Sequence, residues 1–312
     1  MYVQATQVTR PLNPGARTTA PWPMLDEPRA PLRGPDAPVD PTAGSFKPPV
    51  FDASWSQVGR LQDARIAELS GVVVGRANPD VLWVHNDSGD SARIFAISRA
   101  GATLAEVAFD GVKARDWEDI AMGPGPRGSG SAPWIYVADT GDNDKVRHSI
   151  ELYRTPEPGL ATTHVAPQRI ELHYPDGDAR NAETLLVDPL SGDVVIVGKS
   201  KGKAELFSMS RDDIDAGGGK LHAAGSLDLS PEATGGDVSA DGRQVVVRTK
   251  TDVYRWTRQP GERLVDAMAR EPIRIPTAWS EAIAITADGS SWITIPEGVG
   301  AQIMQRSVPA SD

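Results

Sequence analysis

An acid, one further residue, then small or apolar residues: this short pattern returns about every 50 residues and limits what the chain can fold into. It stands in AELSGVVVG (67–75), WEDIAMG (117–123), AETLLVD (182–188), GDVSADG (236–242) and SEAIAIT (280–286). The acids are Glu68, Glu118, Glu183, Asp237 and Glu281, spaced 50, 65, 54 and 44 residues apart. A turn rich in Gly, Asp, Asn or Pro follows each one. Then comes a second run: VLWVHND, WIYVADT, VVIVGKS, QVVVRTK and SWITIPE. A third is ARIFAIS, IELYRT, AELFSMS, DVYRW and AQIMQRS, and a weaker fourth shows in TLAEVAF, QRIELHY and AAGSLDL.

Short runs rich in Val, Ile, Trp and Tyr between turn residues read as strands, and their radial repetition predicts an all-β propeller. The count gives five four-stranded blades, with six as the alternative. The fifth unit runs out of chain after its third strand, and SWSQVGRLQ (54–62) is placed to supply the missing one. That would join the ends of the ring and remove an exposed sheet edge. A β-sandwich would not require an acid once per unit. Residues 1–48, dense in proline and polar groups, read as an extended arm or linker, and 49–312 as the propeller.

With 42 acids against 32 bases, the net charge of −10 argues against a nucleic-acid-binding surface, which needs basic excess. The absence of cysteine excludes disulfides, thiolate metal sites and a cysteine nucleophile. No run approaches the ~18 apolar residues of a membrane helix. The N-terminus lacks the basic-then-apolar layout of a secretory signal, and the location expected is extracellular or virion-associated ahead of cytoplasmic.

First strands of propeller blades face the axis, so five carboxylates at equivalent positions would converge and repel. Two kinds of cation could offset them. One is Ca²⁺, which takes 6–8 oxygens at about 2.3–2.6 Å. Asn86 and Asp139, at the ends of second strands, add oxygen donors, whereas the scattered His85, His148, His164, His173 and His222 form no zinc-type pair. The other is arginine: Arg65, Arg115 and Arg180 stand three residues before the acid in the first three units, but Thr234 and Ala278 take that place in the last two. Lys199 and Arg248 end second strands and are candidate anion contacts, with Asp87 close by. Trp117 and Trp279 flank inner acids, as core residues or as ligand-stacking surfaces.

ELSG, DWEDIA, AETLLVD, SEAIAI, NDSG and DGRQVVVRT resemble segments of bacterial propellers related to the esterase-like phytase and SdiA-regulated groups. The resemblance spans residues 64–306 and implies a calcium-associated propeller with a funnel face. It matches Glu68, Glu118, Glu183 and Glu281, with Asp237 as a conservative departure. No nucleophile elbow, phosphate-cradling glycine loop or zinc-hydrolase helix is present. The expected function is a binding module with a metal-stabilised acidic centre, taking a small anionic or carbohydrate ligand or a surface, and leaning away from catalysis. The alternatives are a calcium-dependent phosphoester or ester hydrolase, and a structural subunit of a virion tail or surface layer whose arm, residues 1–48, contacts a protein partner.

Overall fold

β-Branched and aromatic residues are frequent in the runs named above, and tight turns connect them. In several hairpins joining a first strand to a second, glycine takes a left-handed conformation that residues with a Cβ resist, as at Gly192 (φ 83°), Gly242 (φ 73°) and Gly289 (φ 71°). A computed structural model describes residues 49–200 and 202–308, so the arm expected over 1–48 lies outside the described residues.

Five sheets, each built on four antiparallel strands, form the blades of a ring. Their inner strands are Leu69–Val74, Trp117–Pro124, Ala182–Val187, Ala233–Val238 and Ala282–Ile285. Each inner strand packs against the next, and the fifth returns to the first. The second strands are Val81–Asn86, Pro133–Asp139, Val194–Gly198, Gln244–Thr249 and Ser291–Ile295. The third are Arg93–Ser98, Ile150–Pro156, Gly202–Met209, Asp252–Thr257 and Gln302–Ser307. Outer strands are Thr103–Phe109, Gln168–His173, His222–Leu229 and Ile273–Pro276 in the first four blades. In the fifth, Ser56–Arg60 pairs with Gln302–Ser307 and closes the ring, as the sequence predicts. The fourth blade's outer strand, IRIP, is not evident from sequence, because four residues ending in proline carry little strand signal. Two five-residue helices, Arg211–Asp215 and Leu264–Met268, lie in connections. No helix among the described residues is long and apolar enough to cross a membrane.

Five apolar clusters fill the seams between neighbouring blades. Trp83 and Trp117 anchor the seam of blades 1 and 2, and Trp292 the seam of blades 4 and 5; all three are fully or almost fully buried. Burial at about 25 cal/mol per Å² of apolar surface makes these seams the main cohesion of the ring.

Polar pins near the axis add direction. Asp119, fully buried, accepts N–H bonds from Ile120 (2.9 Å), Leu185 (2.9 Å) and Gly236 (3.1 Å), tying blade 2 to blades 3 and 4. Asp237 accepts from Val238 and Ile285, both at 2.7 Å, tying blade 4 to blade 5. Hydroxyls do the same work: Ser70 donates to the Glu118 carbonyl (2.6 Å), Thr140 to that of Ala182 (2.7 Å) and Thr234 to that of Glu281 (3.0 Å).

These pins correct the register of the repeat. In the first four blades a bulge at the start of the inner strand leaves one residue unpaired: Ser70, Glu118, Glu183 and Thr234. Glu281, just before Ala282↔Ile295, holds the corresponding place in blade 5. Glu68 therefore lies two residues before the equivalent position and Asp237 three residues beyond it. The spacings of equivalent residues become 48, 65, 51 and 47, and the long one carries the extended loops of blade 2.

Asp119→Ala leaves three inward N–H groups without their acceptor. The variant is expected to lose about 3 kcal/mol or more of stability in urea unfolding, and an unchanged midpoint would contradict the pinning role.

Candidate metal centre

Inner strands begin, and second strands end, on the same face of the ring. The bulge residues and Glu281 form one tier there, contributing Glu118, Glu183 and Glu281. A second tier follows the last ladder partners of the second strands, Asn86, Asp139, Gly198 and Thr249: Asp87, Thr140, Lys199 and Lys250, with Glu297 two residues past the fifth blade's second strand. Asp116, just before the inner strand of blade 2, joins this group.

Two acids of the first tier have lysine partners. Lys199 Nζ pairs with Glu183, and Lys250 Nζ with Glu281 at 3.0 Å. On the side of blades 1 and 2, Asp87, Asp116 and Glu118 bring carboxylate oxygens within 4.8 Å of one another. None of the three takes part in an ion pair among the described residues. Gly141 makes the approach possible: a Cβ there would sit 2.2 Å from Glu118 Oε1 and 2.3 Å from the Asp116 carboxyl carbon. Asp139 supports the cluster from behind. It accepts N–H bonds from Arg115 (3.0 Å) and Asp116 (3.2 Å) and is held by Arg147 at 2.7 Å.

Burial and crowding raise the proton affinity of these groups. Burial, then Glu183, Asp87 and Asp116, push Glu118 well above the usual carboxylate range. Burial lifts Glu183 to about 7, against the pull of Lys199 and with Glu281 and Asp87 adding to the rise. Glu297 reaches about 8 through burial and its hydrogen bond to Glu281, and Asp116 about 6 through burial and Asp87.

The remaining sequence candidates lie elsewhere. Glu68 is exposed, and its N–H donates to Asn86 Oδ1. Asn86 in turn donates to the Arg65 carbonyl (2.8 Å) and to Asp90 (2.7 Å), which commits its side chain to the loop. Asp237 sits deeper, among backbone N–H groups and under the field of Arg76. The three arginines turn away from the axis. Arg65 pairs with Asp63 and Glu106, Arg180 with Asp176 and Glu205, and Arg115 is exposed beside a groove with Lys113 and Arg169. Arg248 is fully buried and donates to the Ala278 carbonyl at 2.6 Å; burial lowers its guanidinium to about 9. Trp117 packs against His85, Phe109 and Tyr153, whereas half-buried Trp279 lies 5.6 Å from Lys250 Nζ.

Sequence reading did not single out Asp116, Lys250 or Glu297. Lys250 and Glu297 occupy the second-strand ends where Lys199 and Asp87 are candidates, so comparing blades at that position would have found both.

The donors Asp87, Asp116 and Glu118 are all carboxylate oxygens, which suits a hard divalent cation of the Ca²⁺ type. In the cation-free protein, carboxyls with raised native pKa keep protons that the unfolded chain gives up near pH 4.5. Stability therefore falls as pH rises from about 4.5 through about 7 for Glu183 and about 8 for Glu297. A melting-temperature series in chelator should decline over that range, and Glu297→Gln should flatten its upper part. A melting temperature that rises steadily from pH 5 to pH 8 would contradict the crowding described here.

No family model matches the chain, and no curated protein matches it. Among solved structures, it is similar to a gluconolactonase from Xanthomonas campestris, important in glucose secondary metabolic pathways. The identity is 13%, over 84% of this chain and 95% of that one, with a TM-score of 0.48. It is also similar to hydrazine synthase of Kuenenia stuttgartiensis, at 9% identity over 78% and 84% of the two chains, with a TM-score of 0.44. The five-bladed architecture rests on the sheets of the chain itself.

Proposed function

We propose that this propeller binds a hard divalent cation at Asp87, Asp116 and Glu118, and through it an oxygen-rich ligand, a small anion or a carbohydrate. One observation carries the reading: three carboxylates lie within 4.8 Å of one another and, among the described residues, form no ion pair, on a face where Glu183 and Glu281 each have a lysine. Without a cation such a cluster must take up protons. Gly141 supports the same reading, because it clears the space in which Asp116 and Glu118 meet. The resemblance of DWEDIA to segments of calcium-associated propellers favours Ca²⁺ as the ion. A bound cation would supply positive charge and open coordination positions for ligand oxygens. Lys199 and Lys250 then flank the opposite side of the face, each balanced by a glutamate, and favour ligands with anionic or hydroxyl groups.

A second reading, cation-dependent ester hydrolysis, is favoured by Glu183. Its carboxyl titrates at about 7 beside Lys199 and within the field of Asp87, which suits general acid–base work at neutral pH.

Calcium titration of the purified protein separates these ideas from their absence. The wild type should bind one ion per chain. Glu118→Gln, Asp116→Asn and Gly141→Ala should each weaken binding at least tenfold, and Glu68→Gln should leave it unchanged. Equal affinity in all four variants would overturn the assignment. Turnover on a panel of chromogenic esters, phosphoesters and lactones, abolished by chelator and by Glu183→Gln, would select hydrolysis; a flat panel would leave binding alone.

A further inference from the structure

The outer edges of the five blades are treated differently, and among the described residues that of blade 3 is a long edge without a cover. The edge of blade 1 is covered by His164–Val165, which runs parallel to Thr103–Phe109 and is bonded through Ala108 N–H to Thr163 and Asp110 N–H to Val165. The edge of blade 2 is covered in the same way by Gly218–Lys220, parallel to Gln168–His173. Each cover comes from the following blade, out of the connection between its third and outer strands. The edge of blade 5 meets the Ala100–Gly101 turn, with Arg60 N–H donating to Ala100 (3.2 Å) and Gln62 N–H to Gly101 (3.0 Å). The edge of blade 4 is four residues long, carries Arg274 and ends at Pro276, features that discourage further pairing.

Blade 3 departs from this scheme. Its outer strand, His222–Leu229, is eight residues long, and among the described residues its backbone pairs only with Gly202–Met209. The connection in blade 4 that should supply a cover, residues 258–272, instead winds into the helix Leu264–Met268. Its end is fixed by Trp256 Nε1 donating to the Arg270 carbonyl at 2.9 Å. In the place of a fifth strand there is a groove of about 480 Å³, with Tyr254, Trp256 and Met268 among its lining residues. That volume falls within the roughly 300–1,000 Å³ of ligand clefts. The rim has a definite sign. Its arginines are already engaged, Arg270 with Glu262 and Arg274 with Asp252, whereas Asp228 and Glu271 are in no ion pair among the described residues.

We propose that this edge receives an extended peptide segment of a partner protein, laid parallel to His222–Leu229 as the missing fifth strand. Strand addition takes its affinity from main-chain hydrogen bonds and its selectivity from pockets for alternate side chains. The segment carries an aromatic or aliphatic residue over Tyr254, Trp256 and Met268, with Lys or Arg on either side to meet Asp228 and Glu271. Its parallel direction follows the two covers already built into blades 1 and 2. None of these residues belongs to the metal centre, so the proposal stands or falls independently of the cation.

The probe is the capped peptide Lys-Thr-Val-Trp-Val-Lys-Thr, titrated into the full-length ¹⁵N-labelled protein and followed by NMR. Shifts should concentrate on 222–230 and 268–274, with a Kd below about 1 mM. Asp228→Lys and Glu271→Lys, both at the groove rim, should each weaken it at least tenfold. The same peptide with glutamate in place of lysine should then regain affinity for the two variants. N-methylation of alternate peptide nitrogens should abolish binding in one frame and spare it in the other. Absence of shifts at millimolar peptide, insensitivity to both substitutions, or equal binding by both methylated frames would overturn the proposal. So would concentration-dependent dimerisation lost in Asp228→Lys, because a second copy of the chain would then be the occupant.

Discussion

Closing five sheets into a ring forces the starts of five inner strands onto one small circle, and whatever they carry must coexist there. This chain places three glutamates at that position and hydroxyl residues at the other two. The hydroxyls of Ser70 and Thr234 bond to the carbonyls of Glu118 and Glu281, so the non-acidic members fasten the acidic ones in place. Two of the glutamates are balanced by lysines from the next tier, and the third faces two aspartates. Charge is therefore unevenly distributed around the circle, with its surplus on the side of blades 1 and 2. Burial, and then the neighbouring carboxylates, raise their proton affinity, and a divalent cation is the efficient way to relieve it.

Architecture was readable from sequence because alternating apolar runs and turn residues repeat in every blade, and because Ser56–Arg60 has no other place to go than the fifth sheet. Register was less readable. A bulge at the start of the first four inner strands sets which residue faces its neighbours, and nothing in ELSG or TGGD marks the serine or threonine as the counterpart of a glutamate. Matching acid to acid therefore picked Glu68 and Asp237, which belong to a loop and to an inter-blade pin. The same limit affected the arginines. Their spacing before the acid suggested the axis, but the backbone there turns Arg65 and Arg180 outward to carboxylates of their own blades. Lys250 was legible in principle, since it follows its second strand as Lys199 does.

The two functional readings occupy different parts of the molecule. Face and axis gather oxygen donors, while the outer strand of blade 3 has, among the described residues, one backbone partner and a groove beside it. The three carboxylates lie outside the apolar clusters that hold the blades together, whereas the groove borders one of them, since Tyr254, Trp256 and Met268 belong to the seam of blades 3 and 4.

The central claim is that a cation replaces protons on crowded carboxylates, and proton release on binding measures this directly. Calcium should be titrated calorimetrically at pH 7 in buffers of different ionisation enthalpy. The account predicts that protons leave as the ion binds, and that the release shrinks above about pH 8, where Glu297 and Glu183 are already ionised. Absence of binding at millimolar calcium, or binding with no proton release at pH 7, would contradict it.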